Sequence, residues 1–243
     1  MQNLSSAILR LKSTERCQLK QIVETKQILS DLPSDISILD FSCGDGIWSL
    51  VSSTMFGQKI SKIIATDLVD CPISSDTLKL IKSQCNFQFI KVEGDKRLPF
   101  PDNSFDLVIH HDVLEHTRKP YGMLQEHQRV LKEGGTLFFS TPNLLRLTNI
   151  IKLLCGQLSF PTKIGENEEI GDYIHEQEFS LAGIEIMLEE LNFESIDVYS
   201  KLFGLMPLQL FYDFNKKKSL IKNLGQLIFA VSKKGNKNNF KGK

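Results

Sequence analysis

Four groups of residues have the types and spacing to do chemistry. The stretch DFSCGDG holds Asp40, Ser42, Cys43, Gly44, Asp45 and Gly46 between two apolar runs. Asp67 closes a second apolar run, IIAT. Asp95 and Lys96 follow a third, FQFIKVE. The last group is histidine-rich: His110, His111 and His116 in IHHDVLEH, with His175 further on in YIHEQEFS. A glycine turn lets backbone approach a ligand closely. Dinucleotide turns read G-x-G-x-x-G, but here only Gly44 and Gly46 fit, and Ser49 stands where the third glycine belongs. Asp40 and Asp45 would also repel a pyrophosphate. A ligand with a sulfonium and an ammonium, and no phosphate, reverses that sign. S-adenosylmethionine is such a ligand. Asp45 reads equally well as a solvent-facing turn residue.

Asp67 is placed to accept hydrogen bonds from two ribose hydroxyls, a feature that nicotinamide and S-adenosylmethionine sites share. Asp95 could accept from an adenine amino group, or cap the turn before Leu98 and Pro99. Methyl transfer to a hydroxyl gains from a base near neutral pH, and histidine suits that task. His111 and His175 are the candidate bases, with His111 nearer in sequence to the methyl-donor end. Either could instead be structural. Asp112, Glu115 and His116 stand at i, i+3 and i+4, so one helical face could present all three to a divalent metal. The same residues read as a capping box, with Asp112 as N-cap and Glu115 reaching back. The capping box needs no ion, and no metal is expected.

These residues must be positioned by an alternation of elements. ISILDF, KIIATD, FQFIKVE, FDLVIHH and TLFFST read as strands, joined in part by helix-like GIWSLVSSTMFG and KPYGMLQEHQRVLKEGG. Pro120 sits near the start of the second helix. Strands separated by helices predict a doubly wound α/β sheet, mostly parallel. ESIDVYS and QLIFAVSKK read as closing strands, for seven in all. The predicted organisation is an N-terminal helical segment (1–34), a cofactor-binding core (35–142), an apolar lid insertion (143–180), the C-terminal part of the core with a helical insertion (181–234) and a basic tail (235–243).

In order and spacing, ILDFSCGDG, ATD, VEGDKRLPFPDNSFDLVIHHDVLEH and RVLKEGGTLFFSTPN resemble the class I S-adenosylmethionine-dependent methyltransferases, and within them the type 11 group. The resemblance covers roughly residues 36–143. It implies a Rossmann-like fold and S-adenosyl-L-methionine as cofactor. It implies that the glycine turn (Asp40, Ser42, Cys43, Gly44, Gly46) meets the methionyl part, and that Asp67 with Leu68 meets the ribose. It further implies that Asp95 with Lys96 meets the adenine, and that His110 and His111 line the sulfonium side. His175 resembles a histidine of relatives that act on glycans and lipids. Two residues depart from the pattern: Ser42 stands for a glycine and Glu133 for a proline.

Bulk properties narrow the partners. The 243 residues carry a formal net charge of zero, so no global basic field recruits nucleic acid. Residues 201–243, however, hold ten lysines against one acid, Asp213. A peripheral contact of this basic end with an anionic membrane stays open. The five cysteines form no C-x-x-C pair, which fits reduced thiols and a cytoplasmic protein. No signal-peptide core and no bilayer-length apolar run are evident. The expected function is O-methylation of a small-molecule, glycan or lipid-linked acceptor. Two rivals are a regulatory S-adenosylmethionine-binding protein without turnover and, disfavoured by the turn, an NAD(P)-dependent oxidoreductase.

Overall fold

The computed structural model describes residues 13–94, 96–157, 175–205, 210–212 and 223–235. Helix α1 (Ser13–Asp31) leads in and stops just before Pro33, which disfavours helix in the residue ahead of it. Strand β1 (Ile36–Phe41) is buried on both faces, with Ser37 and Asp40 as its polar residues. Then follow α2 (Ile47–Phe56), β2 (Ile60–Asp67), α3 (Ser75–Gln84), β3 (Asn86–Lys91), β4 (Phe105–His111), α4 (Pro120–Val130) and β5 (Leu131–Pro142). The chain continues through α5 (Leu147–Leu154), α6 (Leu181–Glu190), β6 (Phe193–Leu205), β7 (Leu210–Tyr212) and β8 (Gly225–Lys234).

The sheet runs β3-β2-β1-β4-β5-β8-β6-β7. Its first five strands are parallel, and β8, β6 and β7 join antiparallel. The doubly wound, mostly parallel sheet is therefore present, with all seven expected strands. Two features differ from the sequence reading. Helix α3 was not expected, because its face toward the core is narrow. Ser74 caps it, the hydroxyl accepting from the Thr77 N–H at 3.2 Å. The helical insertion expected after residue 200 is instead strand where it is described: β6 runs on to Leu205, and β7 pairs with it as an eighth, edge strand. Lys216, Lys217 and Lys218 lie outside the described residues, as does most of the 235–243 tail.

Alternation along each strand splits the core in two. Leu39, Val108, Leu137 and Phe139 pack with α4 and α6 on one face. Ile36, Ile38, Leu107, Ile109 and Phe138 pack with α1, α2 and α3 on the other. Order reverses between β2 and β4 on either side of β1, so a crevice opens at the carboxyl ends of β1 and β4. No helix among the described residues is long and apolar enough to cross a membrane. All five cysteines are unpaired.

Candidate active site

The crevice is a cavity of about 560 Å³. Its floor at one end is the turn after β1. Three residues there, Ser42 (φ 53°), Gly44 (φ 51°) and Gly46 (φ 82°), take left-handed backbone. Ser42 accepts a conformation that glycine would take more cheaply. A Cβ on Gly44 would meet no atom within 4 Å, and Gly44 lines the cavity. A Cβ on Gly46 would fall 2.8 Å from the Ile73 side chain, so that glycine is required by packing. Asp67, at the end of β2, straps the turn: its Oδ2 accepts from the Gly44 N–H at 2.9 Å, and its Oδ1 from the Leu68 N–H at 2.7 Å.

The opposite end is built by β4 and the loop before α6. Asp112 has φ 54°, strained backbone at the mouth of the strand. Its carboxylate opens to the cavity and accepts from Gln21 of α1 at 2.8 Å. Burial by the surrounding protein raises its pKa, despite that hydrogen bond. The Leu114–His116 turn is 3-10, not α, and its N-cap is Val113. Glu115 does not reach back to Asp112 as a capping box would. Its Oε2 instead accepts from the Thr141 hydroxyl at 2.8 Å. Burial, and then the nearby Asp112 charge, push Glu115 up to about 8. The Glu115 carbonyl accepts from the Glu176 and Gln177 N–H groups at 2.8 and 3.3 Å, and this draws in the segment that carries His175. The His116 and His175 rings then sit 5.0 Å apart, edge to face. His175 Nδ1 lies 3.3 Å from Glu178 Oε1, and Glu178 is held by Arg146 at 2.6 Å and Asn149 at 3.1 Å. Burial alone would raise the Glu178 carboxyl, but hydrogen bonds from His175 and Arg146 outweigh it and hold the pKa below the usual range.

Of the residues singled out from the sequence, Ser42, Gly44, Asp67, Leu68, Lys96 and His111 line the cavity. Lys96 does so at the rim, paired with Glu93. Asp95 lies outside the described residues. Asp40 and Cys43 sit behind the turn, outside the lining. The fully buried Asp40 accepts from the Ser49 hydroxyl at 2.6 Å, joining β1 to α2. Burial raises its pKa to about 7, which weakens the attraction expected of it. Asp45 accepts from the Ile47 N–H at 3.1 Å, the solvent-facing turn role. His110 is corrected most clearly. It is fully buried on the other face of β4 from His111, stacked on Phe139 at 4.8 Å, and does not line the cavity. His111 lines it, but Ser140 (2.8 Å) and Thr25 (3.2 Å) occupy its two ring nitrogens. Burial lowers its pKa to about 3. A histidine so engaged is poorly placed to take a proton from a substrate.

Residues 39–139 match the family described as a methyltransferase domain. Over that stretch the chain is similar to methyltransferase domains. It is 26% identical over 123 residues to a ubiquinone biosynthesis O-methyltransferase of Colwellia psychrerythraea, over 51% of this chain and 48% of that protein. It is 32% identical over 115 residues to an uncharacterized methyltransferase of Schizosaccharomyces pombe, over 44% of this chain and 40% of that one. The chain thus spans about half the length or less of these curated relatives. A methyltransferase structure from Archaeoglobus fulgidus superposes with a TM-score of 0.58 at 16% identity, over 87% of this chain and 92% of its own. The CurJ carbon methyltransferase does so at 0.63 and 16%, over 96% of this chain and 58% of its own.

The cavity fits S-adenosylmethionine, the cofactor that the likeness implies. Its volume suits a small molecule. The space above Gly44 that a Cβ would enter admits a ligand against the backbone. Asp67 presents a carboxylate beside it, the acceptor a ribose needs and a pyrophosphate does not. Sequence reasoning did not single out two residues of this site. Met123 lines the cavity, and Glu178 orients His175. The only sequence signal for Glu178 was its place three residues after His175.

Proposed function

We propose that the protein transfers a methyl group from S-adenosylmethionine to a hydroxyl oxygen of a small or lipid-linked acceptor. One observation carries this reading: Glu178 holds His175 Nδ1, which leaves Nε2 with its lone pair, in a ring that packs against His116 of the cavity lining. When bound, S-adenosylmethionine supplies an electrophilic methyl group on its sulfonium. The chain's own residues position the reactants around it. Ser42 and Gly44 would hold the methionyl part and Asp67 the ribose hydroxyls. Leu68 and Val92 would flank the base, and Lys96 would close over its edge. His111, locked between Ser140 and Thr25, would serve as a wall beside the methyl group rather than as a base. His175 would activate the acceptor hydroxyl, whose proton is lost as the O–CH3 bond forms. The O-methyltransferase name of the Colwellia relative supports a hydroxyl acceptor. The exposed apolar residues of α5, Leu153 and Leu154, support an amphipathic one.

The test incubates the protein with methyl-labelled S-adenosylmethionine and a panel of phenols, polyprenyl hydroquinones, sugars and amines. The expected product is an ether, lost in His175→Ala while S-adenosylhomocysteine still binds. Label found only on nitrogen or carbon would refute the hydroxyl reading. No transfer to any acceptor, with intact cofactor binding, would favour a regulatory protein.

A further inference from the structure

We propose that the acceptor carries a carboxylate, and that Arg118 and Lys119 hold it at the mouth of the cavity. This deepens the proposed function, whose acceptor it describes, and it rests on that reading.

Four cations line the cavity: Lys96, Arg97, Arg118 and Lys119. The first two already meet acids. Lys96 pairs with Glu93, and Arg97 Nη2 lies 3.4 Å from Asp102. Both stand on the loop after β3, beside the adenine position, and an adenine brings no anion. Arg118 and Lys119 stand between the Leu114–His116 turn and α4. Arg118 donates from Nε to Glu176 Oε1 at 3.0 Å, and its terminal amines have no further partner among the described residues. Glu176 thus steadies the guanidinium by one edge and leaves the Nη1–Nη2 edge for a group with two coplanar oxygens. The Lys119 ammonium likewise has no hydrogen bond or ion pair among the described residues. There is room for a ligand beside it. A Cβ on Gly122, which also lines the cavity, would meet only the Lys119 side chain within 4 Å, at 3.7 Å.

The charge balance selects the anion. Arg118 and Lys119 against Glu176 leave a single positive charge at this end of the cavity. One carboxylate balances it. A phosphate monoester, at close to −2, would leave negative charge in excess beside Glu176, with Asp112 in the same lining. The placement fits the proposed chemistry. Glu176 directly follows His175, and Arg118 comes two residues after His116, whose ring packs on that of His175 at 5.0 Å. A small hydroxy acid would set its hydroxyl on His175 Nε2 while its carboxylate meets Arg118 and Lys119. Two anchors fix the direction of the hydroxyl toward the methyl donor, and such positioning lowers the barrier to transfer.

The test measures binding of 4-hydroxybenzoate and of its amide, 4-hydroxybenzamide, to the full-length protein saturated with S-adenosylhomocysteine, by isothermal titration. The probes share ring and hydroxyl and differ in charge. Both cations are exposed, so screening holds the expected preference for the acid to roughly tenfold, and it falls as salt is added. Arg118→Gln combined with Lys119→Gln should bring the acid down to the amide, with thermal stabilisation by S-adenosylhomocysteine unchanged. Arg118→Lys keeps the charge without the fork and should retain only part of the preference. Equal affinity for the two probes in wild type would overturn the proposal, as would a preference that survives the double variant. So would no binding of either probe by protein that still responds to S-adenosylhomocysteine, or tighter binding of 4-hydroxyphenyl phosphate than of the acid. Methyl transfer from labelled S-adenosylmethionine separates the two readings. Transfer to 4-aminobenzoate but not to 4-hydroxybenzoate, lost in the double variant, would uphold the carboxylate site and sink the hydroxyl reading. Ether formation equally fast on acid and amide would sink the carboxylate site alone.

Discussion

Asp67→Asn separates two tasks that one carboxylate performs. In the structure Asp67 Oδ2 accepts from the Gly44 N–H and Oδ1 from the Leu68 N–H, so each oxygen already has one partner. Each keeps a second lone pair, and those are what a ribose diol would use. Asparagine matches the shape but turns one oxygen into a donor. It can retain one backbone bond and loses one charge-assisted ribose bond, while the other weakens. Hydrogen bonds to a charged group contribute about 1.5–3 kcal/mol. A loss of about 2 kcal/mol corresponds to roughly 30-fold in affinity. For wild type at ligand one hundred times its Kd, binding stabilises the fold by about 2.7 kcal/mol. At the same ligand concentration the variant would gain only about 0.9 kcal/mol. Isothermal titration with S-adenosylhomocysteine gives the affinity, and denaturant unfolding with and without ligand gives the stabilisation. An unchanged Kd beside a lowered ligand-free stability would show that Asp67 only straps the glycine turn, and the ribose assignment would be wrong.

Three further outcomes are expected. His127 is fully buried with neither ring nitrogen hydrogen-bonded among the described residues, and burial lowers its pKa to about 3. The unfolded chain, with a histidine pKa near 6.5, takes the proton first, so stability is lost as pH falls from about 6.5 toward 3. His127→Leu should therefore raise stability at pH 7 by about 1 kcal/mol and flatten the acid slope by up to about 1.4 kcal/mol per pH unit, read from urea unfolding between pH 7 and 4. Gly46→Ala should destabilise by about 2–4 kcal/mol, through left-handed backbone and a Cβ 2.8 Å from Ile73. A cycle with Ile73→Ala should recover about 1 kcal/mol of that, and strict additivity would mean that the contact is not the cause. Glu178→Gln should cost about 2–3 kcal/mol, since Arg146 and Asn149 lose a shared carboxylate. A change under 0.5 kcal/mol in thermal unfolding would show that the node around Glu178 is solvated.

The sequence by itself determined what is local. ISILDF and FDLVIHH have the largely apolar character of strands covered on both sides, and they are β1 and β4. Pro120 starts α4, and Ser180 caps α6, its hydroxyl accepting from the Gly183 N–H at 3.1 Å. The glycine turn and an acid at the end of the next strand were legible as a cofactor site, because both follow from the order of elements along the chain. The tertiary structure alone decided which of two neighbours meets the ligand. His110 and His111 point to opposite faces of β4, as adjacent strand residues must, and only the packing of α1 and α4 determines which face opens to the cavity. Asp40 differs from Asp67 for a related reason. It lies inside β1, under α2, whereas Asp67 stands where β2 leaves the sheet. The pairing of His116 with His175 spans a long stretch of chain, and backbone bonds from Glu176 and Gln177 to the Glu115 carbonyl create it. Periodicity and turn chemistry record a residue's relation to its near neighbours in the chain. Contacts between distant segments depend on how the elements cross in space, and no local pattern carries that information.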